Sequence, residues 1–375
     1  MADPEKRIRI IDETLREGMQ FHGVVFTLEQ RIRILEFQEK LGVDISQIGY
    51  PPALQKEADI VRMTAEYARN QNFSIRTAAL GRALKQDADR LIQTGVDDPH
   101  FHFHMKTGLS DKDIQTNLNY LAALFNQVKT ERPDAQISLA ILEIGLSPLD
   151  LFKLCIDFFE GQPGLSILSL PDTSGIMSPA EVADRMKVAA AKTSRLTLAT
   201  HCHNDLGMAS ANGFTGVMSG ARILEATALG IGERNGISDL YTTARMLKRQ
   251  GWDIKLDTDN EDGFKEYYSY VNSIVKTQTG LDLMGYTCPA FGEAVKTHVA
   301  GTHAQEGFGS SDEERFFLNP LCGKLLVKKY LEQENLSFDI GRLGEITKQV
   351  KSKSMELGRR LTRNEVASLL SDLDT

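Results

Sequence analysis

From residue 7 onward, apolar runs of strand length alternate with segments of helical period. RIRIIDETL (7–15) precedes TLEQRIRILEFQEKLG (27–42), where Ile32, Ile34, Leu35 and Phe37 sit among charged residues and Thr27, with Gln30 three later, is a capping signal. VDISQIGYP (43–51) precedes a helix over 57–71, FSIRTAALG (73–81) one over 85–95 that stops at a glycine, and PHFHFHM (99–105) one over 111–129. QISLAILEI (136–144), LSILSLPDTSG (165–175), RLTLATHCHND (195–205) and ARILEATALGIGERNG (221–236) each lead into a further helical segment. Strands alternating with helices predict a parallel sheet, and eight such units are the number that closes a (β/α)8 barrel.

A doubly wound open sheet is the competing arrangement, and the polar residues favour the barrel. Arg16, Glu17, Gln47, His102, His104, Glu143, Thr173, His201, His203 and Glu233 fall at or near the C-terminal ends of predicted strands, the rim where barrel enzymes carry their sites. An open sheet would gather them at one switch point. After Trp252 the alternation stops, so the chain divides into a barrel over 1–252 and an appended α-helical region over 253–375.

Composition narrows the function. With 41% hydrophobic and 25% charged residues, the chain is an ordinary soluble globular protein. Its net charge of −8 argues against nucleic acid as a partner. No run of about 18 apolar residues appears and the N-terminus shows no signal-peptide apolar core, so neither a membrane span nor secretion is expected. Cys155, Cys202, Cys288 and Cys322 are scattered without metal or disulfide spacing, which suits a reducing, cytoplasmic setting.

THCHND (200–205) carries the first chemistry. A strand has period two, so His201 and His203 share a face while Cys202 points away. Two imidazoles are either core packing or two-thirds of a metal site, and a carboxylate at a nearby strand end decides between these readings. DETLREG (12–18) supplies Glu17, next to Arg16 and just before a turn at Gly18. One carboxylate and two imidazoles leave coordination positions open, as in catalytic Zn²⁺, Mn²⁺ or Mg²⁺ sites. The plainer alternatives are a rim salt bridge for Arg16 and Glu17, a helix cap for Glu143 and close backbone packing for the glycines of GIGERNG.

DETLREGMQF, PDTSG, HCHNDLGMASANG and GIGERNG, in that order, resemble the acyl-CoA-dependent Claisen-condensing enzymes of the DRE-type TIM-barrel metallolyases. That superfamily holds homocitrate, isopropylmalate, citramalate and Re-citrate synthases and hydroxymethylglutaryl-CoA lyase, and the likeness continues into FGEAVKTHVAGTHAQ (291–305). Arg-Glu and GIGERNGI are most similar to the homocitrate-synthase branch. The resemblance implies an acyltransferase that condenses acetyl-CoA with a 2-oxo acid and hydrolyses the thioester to a 2-substituted malate, with a divalent metal at Glu17, His201 and His203. It further implies Arg16 at the ketone oxygen, Gln20 and Thr173 near the substrate carboxylate, and Glu143 with His303 as the acid–base pair. In this family that histidine comes from the other subunit, which implies a homodimer.

Departures from the family bear on the substrate. Leu139 stands where an arginine of homocitrate synthases grips the distal carboxylate of 2-oxoglutarate, Gln47 replaces a glutamate, and Arg315 or Phe316 stands near an expected tyrosine. On the fourth strand His102 and His104 share a face and Lys106 follows, a cationic substitute suited to a short acidic oxo acid such as oxaloacetate or phosphonopyruvate. A homocitrate synthase using 2-oxoglutarate, a 3-hydroxyacyl-CoA lyase and a non-catalytic barrel subunit are the alternatives.

Overall fold

The computed structural model describes residues 6–104, 108–300 and 314–374. Eight parallel strands, β1 (Arg7–Asp12), β2 (Ile45–Gln47), β3 (Arg76–Arg82), β4 (Asp98–His104), β5 (Ile137–Leu142), β6 (Leu165–Asp172), β7 (Thr197–Cys202) and β8 (Ile223–Ala226), pair in sequence order. β1 pairs with both β8 and β2, so the sheet closes as a (β/α)8 barrel.

Helices α1 (Leu28–Leu41), α2 (Gln55–Asn70), α3 (Lys85–Thr94), α4 (Asp111–Glu131), α5 (Leu149–Glu160), α6 (Pro179–Ala190), α7 (Ala209–Met218) and α8 (Leu240–Arg249) follow the strands in turn. The start signal at Thr27 is a full capping box: its hydroxyl accepts from the Gln30 backbone N–H while the Gln30 side chain accepts from Thr27 N–H.

Ile11, Ile45, Ala78, Ile167, Ala199 and Ile223, one from each of six strands, form a single buried cluster inside the barrel. Two residues further along five of those strands, on the same face, stand Glu13, Gln47, Ser169, His201 and Glu225, all buried. The apolar layer is therefore a floor, and one pleat above it the lumen turns polar.

Contacts within the chain form two compact units, 1–283 and 284–375. A two-residue strand, β9 (Asp253–Ile254), pairs with the start of β1, and α9 (Glu261–Thr279) buries Phe264, Tyr267, Tyr268 and Val271. Tyr267 donates to Asp12 and Tyr268 to Asp239, both at 2.8 Å, which ties α9 to the barrel. Loss of strand alternation after Trp252 thus marks the end of the repeat, whereas the compact unit continues to Leu283. In the second unit α10 (Lys324–Gln333), α11 (Leu343–Leu357) and α12 (Arg363–Asp374) enclose a core that includes Leu326, Leu331, Val350 and Val366. Among the described residues no helix is long and apolar enough to cross a membrane.

Candidate active site

After β1 the chain coils at once: Arg16 and Glu17 N–H both donate to Glu13 C=O, at 2.9 and 2.7 Å, and a 3₁₀ turn runs over Glu17–Gln20. That coil points Arg16 and Glu17 back across the mouth of the barrel. Glycines of GIGERNG make room for them. A Cβ on Gly232 would stand 3.0 Å from the Glu17 carboxylate, and one on Gly236, at φ +83°, would collide with Gly230 C=O. Close backbone packing is therefore the work of these glycines.

A cavity of about 210 Å³ opens at the C-terminal ends of the strands. At its base His201 Nδ1 lies 3.1 Å from both Glu13 Oε2 and Glu225 Oε2, and Ser169 Oγ donates to the latter at 3.0 Å. His201 Nε2 faces His203 Nε2 at 3.3 Å. Arg16 donates to Glu13 at 2.5 Å and also to Gln47 and Glu17. Glu17 Oε1 accepts from Glu233 N–H at 3.0 Å, and the Gln20 amide, oriented to satisfy the network, donates to both Glu17 oxygens at 2.6 and 2.9 Å.

These contacts set the charges. Burial disfavours the charged form of His201, but the Glu13 and Glu225 carboxylates override it and raise its pKa to about 10. Burial and then the His201 charge push His203 down to about 3. Burial by itself would raise the Glu13 carboxyl; Arg16 and His201 hold it at about 2. Burial lowers His102 to about 4, so at neutral pH it is an uncharged donor–acceptor.

The donor set fits a divalent cation. One oxygen or nitrogen from each of Glu13, Glu17 and His201 lies within 4.8 Å of the others, so Glu13 joins this group where the sequence pointed to His203, whose Nε2 lies 3.3 Å from His201 Nε2. Buried Glu13 Oε1, Glu225 Oε1 and His203 Nδ1 have no hydrogen-bond partner. Three buried carboxylates, Glu13, Glu17 and Glu225, are opposed among the described residues by Arg16 and by protonated His201, which leaves one negative charge for a further cation to balance.

Arg16, Glu17, Gln20, His102, Thr173, His201 and His203 line one cavity, and Gln47 meets it through Arg16. The remaining expected residues are placed differently. His104 is exposed and does not line the cavity. Lys106 and His303 fall outside the described residues. Glu143 sits at the rim with φ +58°, accepts from Ser174 Oγ at 2.7 Å and does not line the cavity. Arg315 is in the second unit, ion-paired with Glu293 at 2.8 Å. Leu139 is buried on the helix side of β5, in register with Phe101 and Leu168. Strand alternation instead turns Ala140 and Leu142 inward, so the residue expected to choose the substrate is not in the lumen.

Sequence reasoning missed Glu13, His100, Ser169 and Glu225, together with the apolar liners Leu80, Ala140, Leu142 and Pro171. A signal for the first four was present, since each lies two residues from another inward position of its strand.

The family model described as HMGL-like matches residues 7–261. A 2-isopropylmalate synthase of Sulfurisphaera tokodaii is 30% identical over 380 residues, covering 95% of this chain and 93% of that protein. Another, of Sulfolobus acidocaldarius, is 29% identical over 389 residues, covering 97% of this chain and 95% of the relative. Among solved structures, an HMG-CoA lyase from Brucella melitensis superposes with a TM-score of 0.60 at 17% identity, covering 72% of this chain and 99% of the lyase.

Proposed function

Since the chain belongs to the HMGL-like family, we propose that it condenses the acetyl group of acetyl-CoA with a short 2-oxo acid and that water then hydrolyses the resulting thioester, giving a 2-substituted malate and free CoA. The observation that carries this reading is the juxtaposition of Arg16 with the carboxylate–imidazole cluster at the base of a small, half-apolar cavity.

Glu17, His201 and His203, with Glu13 beside them, would hold a divalent cation, which when bound supplies Lewis-acid polarisation of a ketone. Arg16 spends three of its five N–H groups on Glu13, Gln47 and Glu17, leaving two for a substrate oxygen on which negative charge grows. Its guanidinium is buried and tied down by three partners, so the donors are in place before the substrate arrives. Thr173 and Gln20 line the same cavity and are the proposed contacts of the carboxylate end, Gln20 by turning its amide N–H groups away from Glu17. The proton of the acetyl methyl group goes to a base for which His303 is the proposed residue, with Glu143 as its partner at the rim.

Leu80, Ala140, Leu142 and Pro171, with neutral His102, form the wall on which the side chain of the oxo acid rests. Among the described lining residues Arg16 is the one permanent cation, and it is already opposed by carboxylates. This wall supports a short uncharged side chain over a second anionic group, and the name of the relatives agrees in kind. The acidic oxo acids expected from His102, His104 and Lys106 belong in the same test.

That test is CoA release, followed with a thiol reagent, from acetyl-CoA and a panel of pyruvate, 2-oxobutyrate, 2-oxoisovalerate, oxaloacetate, phosphonopyruvate and 2-oxoglutarate. Release with a short oxo acid, lost on chelation and in His203→Ala, is the expected result. No release with any member sinks the reaction; release that survives chelation sinks the metal.

A further inference from the structure

At the opposite, N-terminal end of the barrel a second cavity, of about 710 Å³, opens between the starts of β7, β8 and β1. Arg7, Arg9, Arg195 and Arg222 line it, and among the described residues no acidic one does, although the chain as a whole carries a net charge of −8. Arg7 is paired with Asp44 at 3.6 Å and Asp253 at 4.0 Å. The guanidiniums of the other three have no carboxylate within 4.0 Å among the described residues, although the backbone N–H of Arg195 donates to the Glu160 carboxylate at 2.7 Å.

Their guanidinium contacts are to uncharged acceptors. Arg9 donates to the Gln136 amide oxygen at 3.2 Å, and Arg222 to Ala221 C=O at 3.0 Å while lying over the Trp252 ring. Arg195 caps the end of α5 through Phe159 and Glu160 C=O and also reaches Leu165 C=O. Arg9 and Arg222 each spend one of five N–H groups in this way, so most of their donors face the cavity or solvent. The carboxylates nearest Arg9 are already engaged. Asp98 is held by Arg76 at 2.6 Å, and Asp44 accepts from Ile10 N–H at 2.9 Å.

We propose that this N-terminal mouth is a binding site for a small anion bearing a diphosphate group. Three guanidiniums without an ionic partner match the roughly three negative charges that two linked phosphates carry near neutral pH. Planar forks of N–H donors are the recognition groups suited to phosphate oxygens. The cavity is more than three times as large as the one at the other end, so it has room for a nucleoside as well as for the diphosphate. None of its lining residues belongs to the reaction proposed above.

Calorimetric titration of the full chain tests this, at low ionic strength with chelator present so that no metal carries the anion. The probes are inorganic pyrophosphate, ADP and adenosine. Pyrophosphate and ADP should both bind, adenosine should not, and added salt should weaken both. Arg222→Gln should weaken binding by about tenfold or more, as expected when one charge-assisted contact is lost, with CoA release and melting temperature unchanged. Arg9→Gln provides a second, independent arm should the first variant lose stability. ADP binding much tighter than pyrophosphate identifies a nucleotide as the source; equal affinities identify the diphosphate alone. No heat with pyrophosphate, or unaltered affinity in folded variants, overturns the site.

Discussion

Glu13→Gln probes how the His201 imidazole, a proposed metal ligand, is held. Glu13 Oε2 accepts from Arg16 at 2.5 Å and stands 3.1 Å from His201 Nδ1, while its buried Oε1 has no partner. A glutamine of the same shape has two orientations there. With its oxygen in place of Oε2, the amide nitrogen takes the Oε1 position and becomes a buried donor without an acceptor, costing about 1–3 kcal/mol. With its nitrogen in place of Oε2, it confronts the Arg16 donor and forces Nδ1 to accept. The imidazole proton would then move to Nε2, the atom that faces His203. The first orientation is the cheaper, and in it Glu225 still accepts from Nδ1–H. The single variant should therefore bind Zn²⁺ or Co²⁺ about tenfold more weakly, at the low end of the range for outer partners of a metal ligand. Glu225→Gln should behave likewise for the same reason. In the double variant both charged acceptors of one N–H are gone, and the loss should exceed the roughly 100-fold product of the single effects. Competition titration against a chromophoric chelator measures all three. A double variant whose loss merely equals that product would mean that the carboxylates act independently and not through His201.

Ala140→Leu extends the apolar wall into the cavity, and should raise the preference for pyruvate over 2-oxoisovalerate in kcat/KM by about tenfold or more, because a single methylene commands that much in a close-fitting pocket. An unchanged ratio would show that the side chain of the oxo acid rests elsewhere. In the second unit, hydrogen bonds from Arg359 and then Thr362 hold the Glu365 carboxyl down from 4.5 to about 2. Its folded pKa is below its unfolded one, so its stabilisation is complete above about pH 4.5 and is lost as pH falls toward 2. Glu365→Gln should lower the melting temperature at neutral pH and leave it unaltered at the acid end. Burial pushes the Cys155 and Cys202 thiols up to about 12 and also raises Cys322, whereas Cys288 is only half-buried. Native protein should show one fast equivalent with a thiol reagent, abolished by Cys288→Ser, which also defines the background of the CoA assay.

The barrel was legible because its signal is periodic and repeated. Each buried strand is a short apolar run and each helix carries its own apolar stripe, so eight noisy units support one another. The second unit lacks that redundancy, and the membership of α9 was decided by Tyr267 and Tyr268, whose hydroxyls reach Asp12 and Asp239 from far along the chain. At the site, residues that stand out against their strands were found: Arg16 and Glu17 beside a turn, His201 and His203 in an apolar run. Glu13 and Glu225 were passed over because alternation sorts faces but says nothing of depth. Leu139 was misjudged for a related reason, since counting back from a rim residue across an irregular strand end loses the alternation. Glu143, at φ +58°, breaks the strand geometry that such a count assumes.

Depth and neighbourhood come from the closure of the barrel, and together they would orient a 2-oxo acid bound as proposed. β7, β8 and β1 are consecutive around the wall, and their inward residues at one height are His201, Glu225 and Glu13, with Arg16 and Glu17 folding over them from β1. Across the lumen, β3, β5 and β6 present Leu80, Ala140, Leu142 and Pro171. Ionised groups cluster on one half of the cavity and apolar ones on the other. A 2-oxo acid has the same division, with a carboxylate and ketone at one end and a hydrocarbon at the other. Its head group can meet Arg16 only by facing β1, which lays its side chain against β3, β5 and β6. The polar groups of β4 on that far side, His100 and His102, are both pushed toward the neutral form by burial, and so they can donate or accept a hydrogen bond there without supplying the charge that a second carboxylate would need.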